Sequence, residues 1–171
     1  DFVADDGKLT AGKPAQAIAD RIAQVTQEAY DNGDYIFVAM DRHDEGDTFH
    51  PETKLFPPHN IAGTSGRELY GKLASVYDAI KDDNRVFWMD KRHYSAFSGT
   101  DLDIRLRERR VTTVVLTGVL TDICVLHTAI DAYNLGYDIE VVASATASLT
   151  PEAHDFAIGH FKNVLGATIV E

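Results

Sequence analysis

The chain has 171 residues, a formal net charge of -11 and a hydrophobic content of 44%. This length suits one domain with a sizeable core, and we predict a single domain over residues 1–171. The negative charge argues against nucleic acid and anionic lipid as partners, because both require a positive surface. No apolar run approaches the roughly 20 residues that span a membrane. A lone cysteine cannot form an internal disulfide, which favours a cytoplasmic location.

Helical and strand-like segments alternate along the chain. Apolar residues recur at helical spacing over 14–32, where Pro14 suits a first turn. Further helices are predicted at 67–80, 101–110, 123–135 and 151–165, and strands at 35–40, 85–89, 111–119, 138–144 and 167–170. Most of these strands are apolar throughout, which predicts a doubly wound, mostly parallel α/β sheet with helices on both faces. Ligands of such sheets bind beyond the carboxyl ends of the strands.

The only cysteine, Cys124, follows the predicted strand over 111–119. It falls in the first turn of the next helix, for which Thr121 is the predicted N-cap. A thiol at a helix N-terminus feels the positive end of the helix dipole, which favours the thiolate, and the unpaired N–H groups there can hold an oxyanion. A lone cysteine is also often a buried structural residue. The residues alone leave both interpretations open.

Lys91 lies just past the end of the predicted strand over 85–89. A cation at this edge of the sheet would stabilise a thiolate and negative charge on a substrate oxygen. The alternative is an ordinary solvated surface lysine.

The segment from 41 to 66 begins at a strand end and holds three of the seven histidines. Asp41 and His43 can point to the same side, and His59 lies on a loop able to fold back. One Asp and two His form a common open site for a catalytic divalent metal, and Glu52 is a further candidate ligand. The alternative is a polar surface loop with stray histidines, and we interpret His50 as an exposed residue of this loop.

Five motifs resemble, in order and over nearly the whole chain, those of nicotinamidases of the isochorismatase-like cysteine hydrolase superfamily. They are "DF" at the start, the metal motif D-x-H in "DRHDEGDTFH", "FPPHNIAGTSG", "KRHYSAFSGTDL", and the nucleophile segment "VVLTGVLTDICV" with G-x-x-T-x-x-C-V intact. Each motif alone is modest, and their combined order and spacing is specific for the superfamily.

The resemblance implies a role for each candidate. Cys124 is the nucleophile and Lys91 the second catalytic residue. A cis peptide is expected at Val119–Leu120, and the backbone N–H groups of Leu120 and Cys124 form the oxyanion hole. Metal ligands and aromatic walls of the substrate pocket complete the set: Asp41, His43, Glu52 and His59 for the metal, and Phe2, Phe56 and Tyr94 for the walls.

The implied reaction is hydrolysis of nicotinamide, and also of pyrazinamide, through a thioester, releasing ammonia and serving NAD salvage. It needs one divalent metal ion, with zinc our first choice and manganese or iron the alternatives. A homo-oligomer is expected, since family members commonly self-associate. The other hypotheses are a related amidase acting on a carbamoyl or ureido amide, and a non-catalytic metal- or ligand-binding relative.

One element of the family pattern falls before Asp1. The third catalytic residue of the family is an Asp at the end of a first, central strand, four residues before the Asp of "DF". The resemblance therefore places both this strand and its Asp upstream of the sequence.

Overall fold

Parallel strands and helices alternate through the chain, which the computed structural model describes over residues 1–171. The α-helices are α1 (Lys13–Asp31), α2 (Lys72–Ile80), α3 (Leu102–Glu108), α4 (Leu126–Leu135) and α5 (Pro151–Asn163). The strands are β1 (Ile36–Asp41), β2 (Val86–Lys91), β3 (Thr113–Val119), β4 (Asp138–Ala147) and β5 (Thr168–Val170). These elements belong to two units, Asp1–Arg92 and His93–Glu171.

The first unit is built on the parallel pair β1 and β2. Their register runs from Ile36 opposite Val86 to Asp41 opposite Lys91, so the two strands end together. Helix α1 starts within one residue of its predicted bound, with Pro14 in the first turn, where a missing N–H costs no hydrogen bond. Long loops after β1 carry two short 3₁₀ turns, Pro51–Lys54 and Ser65–Arg67.

Helix α2 is shorter than predicted, because residues 67–71 are not part of it. Gly71 precedes the helix with φ of 59°, a left-handed value that an α-helix cannot contain. The apolar spacing of "RELYGKLASVYDAI" therefore spans a 3₁₀ turn, a short irregular segment and a helix. The prediction of a single helix over 67–80 is wrong at its N-terminal end.

The second unit has a parallel sheet in the order β3-β4-β5. A register shift between Leu116 and Gly118 lets β4 continue to Ala147, beyond its predicted end. Helix α5 starts as its sequence indicates, with the Thr150 hydroxyl accepting a hydrogen bond from the Ala153 N–H at 3.2 Å. The core of this unit is apolar and shielded from solvent: Ala129, Val141, Ala157 and Phe161 are fully buried.

These observations confirm the predicted α/β class, with parallel strands flanked by helices. No helix of the chain is both long enough and apolar enough to cross a membrane. The strand that the resemblance places before Asp1 lies outside residues 1–171.

Helix α5 offers a direct test of this core. Phe161 is fully buried, whereas Phe156 on the same helix is 65% exposed. We expect Phe161→Ala to lower the free energy of unfolding by about 3–5 kcal/mol, because it leaves a cavity in a packed core. Phe156→Ala should change it by less than about 1 kcal/mol. Urea denaturation of both variants measures the difference, and equal losses would contradict the described packing.

Candidate functional site

The ends of β1 and β2 bring together two residues singled out in the sequence. Asp41 and Lys91 are partners in the strand register, and the Lys91 ammonium donates a hydrogen bond to Asp41 Oδ1. Both side chains are buried, so water does little to solvate either charge. The interpretation of Lys91 as a surface lysine is therefore wrong. A buried ion pair of this kind persists because each charge compensates the other.

Just after β1 the chain brings His43 and His59 to Asp41. His43 forms a parallel bridge with Ile61: its N–H donates to the Asn60 carbonyl at 3.0 Å, and its carbonyl accepts from the Ala62 N–H at 2.8 Å. This pairing folds the loop back as predicted. One ligand atom from each of Asp41, His43 and His59 lies within 4.8 Å of the others, and all three residues are buried.

The orientation of His59 fits a metal ligand. Its Nδ1 lies 2.8 Å from the Pro57 carbonyl, which can only accept, so Nδ1 carries the proton. Its Nε2 is buried and has no hydrogen-bond partner. A buried ring nitrogen without a hydrogen bond needs a partner, and histidines that ligate metals commonly donate their other N–H in this way. One carboxylate and two imidazoles suit a divalent cation such as zinc.

Glu52 lies beside the two histidines but outside the cluster of three. Its Oε2 is 3.5 Å from His59 Nε2 and 3.9 Å from His43 Nε2. Burial raises the pKa of the Glu52 carboxyl, but the facing His59 and His43 rings outweigh burial, so the net pKa is lowered. Burial, together with the neighbouring His59, lowers the pKa of His43. Both shifts favour the deprotonated forms that bind metals.

His50 differs from His43 and His59 in its contacts. It is buried, so the prediction that it is exposed is wrong. Its Nε2 contacts the Arg92 carbonyl, and its Nδ1 accepts a hydrogen bond from the Glu52 N–H at 3.3 Å. Because the protein itself engages both ring nitrogens, His50 supports the loop and leaves the ligand set to its neighbours.

Two of the three predicted aromatic walls surround His59. The Phe2 ring lies edge-on at 5.5 Å between centroids and the Phe56 ring at 6.2 Å. Tyr94 belongs to the second unit, where its ring lies 5.2 Å from that of His127. His59 itself is buried beside the Phe2 and Phe56 rings, and electrostatic interactions are stronger in such a poorly solvated environment.

Asn60 and Arg67 support this site and were missed by the sequence reasoning. Asn60 is fully buried with φ of 46°, and its N–H donates to Asp1 Oδ2 at 2.8 Å. Arg67 Nε donates to the Asp41 carbonyl at 2.9 Å. Asparagine tolerates the left-handed region better than most residues, which is a usable signal in "PPHNIAG". Nothing in the sequence around Arg67 indicates its long-range contact.

In the second unit the chain turns sharply at the cysteine. The Val119–Leu120 peptide is cis, as the resemblance implied. A π-helical turn, Thr121–Val125, then leads into α4, and it contains Cys124, which is half-buried. The prediction that Thr121 caps the helix is wrong: its hydroxyl makes a hydrogen bond with His154 Nδ1 at 2.9 Å.

Two hydroxyl side chains hold the cysteine turn. The Ser148 hydroxyl donates to Asp122 Oδ1 at 2.6 Å, and the Thr128 hydroxyl donates to the Cys124 carbonyl at 2.7 Å. Thr128 Oγ1 also accepts from the Ala96 N–H at 3.0 Å. These hydrogen bonds fix the backbone around Cys124 just before α4, and a thiol near a helix N-terminus lies close to the positive end of the helix dipole.

Comparison with known proteins identifies the class to which this fold and these residues belong. The model of the isochorismatase domain matches residues 1–170, and the chain belongs to that family. It is 54% identical over 171 residues to the isochorismatase family protein PncA of Bacillus subtilis, covering 100% of this chain and 93% of that protein.

Solved structures agree with this assignment. The crystal structure of a pyrazinamidase/nicotinamidase from Streptococcus mutans is 80% identical, with a TM-score of 0.98 over 99% of this chain and 93% of that chain. The pyrazinamidase of Pyrococcus horikoshii in complex with zinc is 25% identical, with a TM-score of 0.84 over 99% of this chain and 96% of that chain. The resemblance to nicotinamidases of this superfamily is confirmed.

The buried Asp41–Lys91 pair predicts a large effect on stability. Lys91→Met removes the cation and leaves the Asp41 carboxylate buried without it. We expect the metal-free variant to lose about 3–5 kcal/mol of unfolding free energy. Added zinc should restore part of this loss, because a bound cation would again compensate Asp41.

Lys72→Met is the control, since the Lys72–Asp20 pair is exposed and should contribute less than about 1 kcal/mol. Thermal denaturation of both variants, with and without zinc, makes the measurement. Similar small losses of unfolding free energy in the two variants would show that the buried Asp41–Lys91 pair stabilises the protein no more than an exposed pair does.

Proposed function

We propose that the protein is a metal-dependent nicotinamidase that hydrolyses nicotinamide to nicotinate and ammonia and also accepts pyrazinamide. The observation that carries this proposal is the combination of a buried Asp-His-His cluster with a cysteine on a π-helical turn, in a chain 80% identical to a pyrazinamidase/nicotinamidase. NAD salvage, a cytoplasmic location, a homo-oligomeric state and a single domain over residues 1–171 belong to the same proposal.

The metal ligands in this proposal are Asp41, His43, Glu52 and His59, holding one zinc ion, with manganese or iron as alternatives. The unpartnered Nε2 of His59 and the Glu52 carboxylate beside it support this assignment. When bound, the ion supplies a Lewis acid that can orient a ring nitrogen or lower the pKa of a bound water.

The reaction rests on Cys124. Its thiolate attacks the carboxamide carbon, and a C–S bond forms while the carbonyl oxygen takes up negative charge. The N–H groups of Leu120 and Cys124 hold this oxyanion, and Lys91 stabilises the charge. The C–N bond then breaks, ammonia leaves with the transferred proton, and water hydrolyses the thioester. The family resemblance assigns the proton transfers to the Asp expected before Asp1.

Substrate recognition is assigned to Phe2, Phe56 and Tyr94, which would form the walls around a flat aromatic ring. The edge-on placement of Phe2 and Phe56 beside His59 supports this for two of the three. Flat apolar walls next to a cation site suit a heteroaromatic amide better than a flexible ureido compound.

Ammonia release from nicotinamide tests the reaction. We expect metal-loaded protein, made from the complete reading frame, to release ammonia at a rate that falls by at least roughly a thousandfold in Cys124→Ala, because the nucleophile is gone. Pyrazinamide and a set of ureido and carbamoyl amides are assayed in parallel. If the protein hydrolyses only ureido or carbamoyl amides, one of these and not nicotinamide is the substrate. Near-normal rates in Cys124→Ala would contradict the thioester mechanism.

Metal removal tests the cofactor. We expect dialysis against a chelator to abolish ammonia release and added zinc to restore it. His59→Ala should weaken zinc binding by at least about tenfold, because it deletes a buried ligand atom. His160→Ala, which alters a histidine on α5, is the control and should bind zinc as the wild type does. Zinc affinity is measured by competition with a chromophoric chelator, and equal affinity in the two variants would contradict the ligand assignment.

A further inference from the structure

Arg92 makes three contacts with the loop that follows β1. Its Nη1 donates to Asp44 Oδ2 at 2.6 Å, and its Nη2 donates to Asp47 Oδ2 at 2.6 Å. Its carbonyl accepts the hydrogen bond from His50 Nε2. The residue just after β2 therefore holds two carboxylates and a histidine of a loop that is 42 to 48 residues away in sequence.

Asp47 connects Arg92 to the backbone of the next loop residues. While one of its oxygens faces Arg92, the other accepts hydrogen bonds from the Phe49 N–H at 2.9 Å and the His50 N–H at 3.3 Å. The Phe49 N–H, followed by the Arg92 guanidinium and the His50 N–H, lowers the pKa of the Asp47 carboxyl. The carboxylate therefore stays charged and keeps both sets of contacts.

His50 completes the connection to the metal cluster. It precedes the 3₁₀ turn Pro51–Lys54, and its ring nitrogen accepts the Glu52 N–H. Glu52 Oε2 in turn faces His59 Nε2 at 3.5 Å. A continuous series of hydrogen bonds thus leads from the Arg92 guanidinium through Asp47 and His50 to the backbone that carries Glu52.

We infer that Arg92 is a positioning residue for the metal site, which sets the loop carrying Glu52 at the distance that the cation requires. This inference deepens the proposed function and rests on its metal site. The ion pairs of Arg92 are partly exposed, with side-chain exposures of 42% for Arg92 and 23% for Asp47. Such pairs contribute little to overall stability, so the contacts of Arg92 should matter mainly for loop geometry.

The test measures zinc affinity separately from folding and turnover. Arg92→Gln removes the charged fork but keeps the backbone contact to His50, and we expect the dissociation constant for zinc to rise about tenfold or more, with little change in the melting temperature of the metal-free protein. Arg92→Lys keeps the charge but cannot bridge two carboxylates. Its dissociation constant for zinc should therefore lie between those of the wild type and Arg92→Gln. Zinc affinity comes from chelator competition and melting temperature from circular dichroism.

Two further variants make the test specific. Asp47→Asn should weaken zinc binding, and combining it with Arg92→Gln should add less than the product of the two single effects, because both act through one series of bonds. Arg105→Gln is the control: Arg105 on α3 forms a comparably exposed pair with Asp101, the residue before α3, at 2.7 Å, and its loss should leave zinc affinity unchanged.

The outcomes separate this inference from the proposed function. Wild-type zinc affinity in a folded Arg92→Gln variant, or an equal loss in Arg105→Gln, overturns the role of Arg92 and leaves the metal site standing. A wild-type protein that binds no zinc overturns the metal site and this inference together, whatever the ammonia assay shows.

Discussion

The parallel register of β1 and β2 and the buried ion pair at its end organise the first unit. Because the two strands end level, Asp41 and Lys91 face each other where water cannot solvate them, and each depends on the other for compensation. The register also fixes where the next residues lie, because His43 follows β1 and Arg92 follows β2. A shift of the register by one residue would send these side chains to opposite faces.

Each unit has one irregular backbone segment that carries candidate functional residues, and different local contacts hold the two segments in place. In the first, a loop is folded back by a strand-like bridge at His43 and by hydrogen bonds from Arg92, so that ligand atoms converge. In the second, a π-helical turn is held through Asp122 and Thr128, so that Cys124 sits on a fixed backbone. In both, polar side chains make the contacts that irregular backbone would otherwise lack.

Much of this arrangement was predictable, and the errors have identifiable causes. Helical spacing and apolar runs located all five α-helices and all five strands, though not the 3₁₀ and π-helical turns, and the motifs identified Asp41, His43 and His59 as one cluster. The N-terminal end of α2 was placed wrongly because helical spacing outweighed the effect of Gly71 on the backbone. His50 was taken for a surface residue because its partners, the Arg92 carbonyl and the Glu52 N–H, are backbone groups that composition does not reveal.

The sequence by itself determined the alternation of strands and helices, the α/β class and the residue types available for metal binding and nucleophilic attack, because these follow from local periodicity and short motifs. Tertiary structure alone decided which groups meet: Lys91 with Asp41, Arg92 with Asp44 and Asp47, and Thr121 with His154. Such pairings join residues 33 to 50 positions apart. They depend on strand register and chain reversal, which no local pattern encodes.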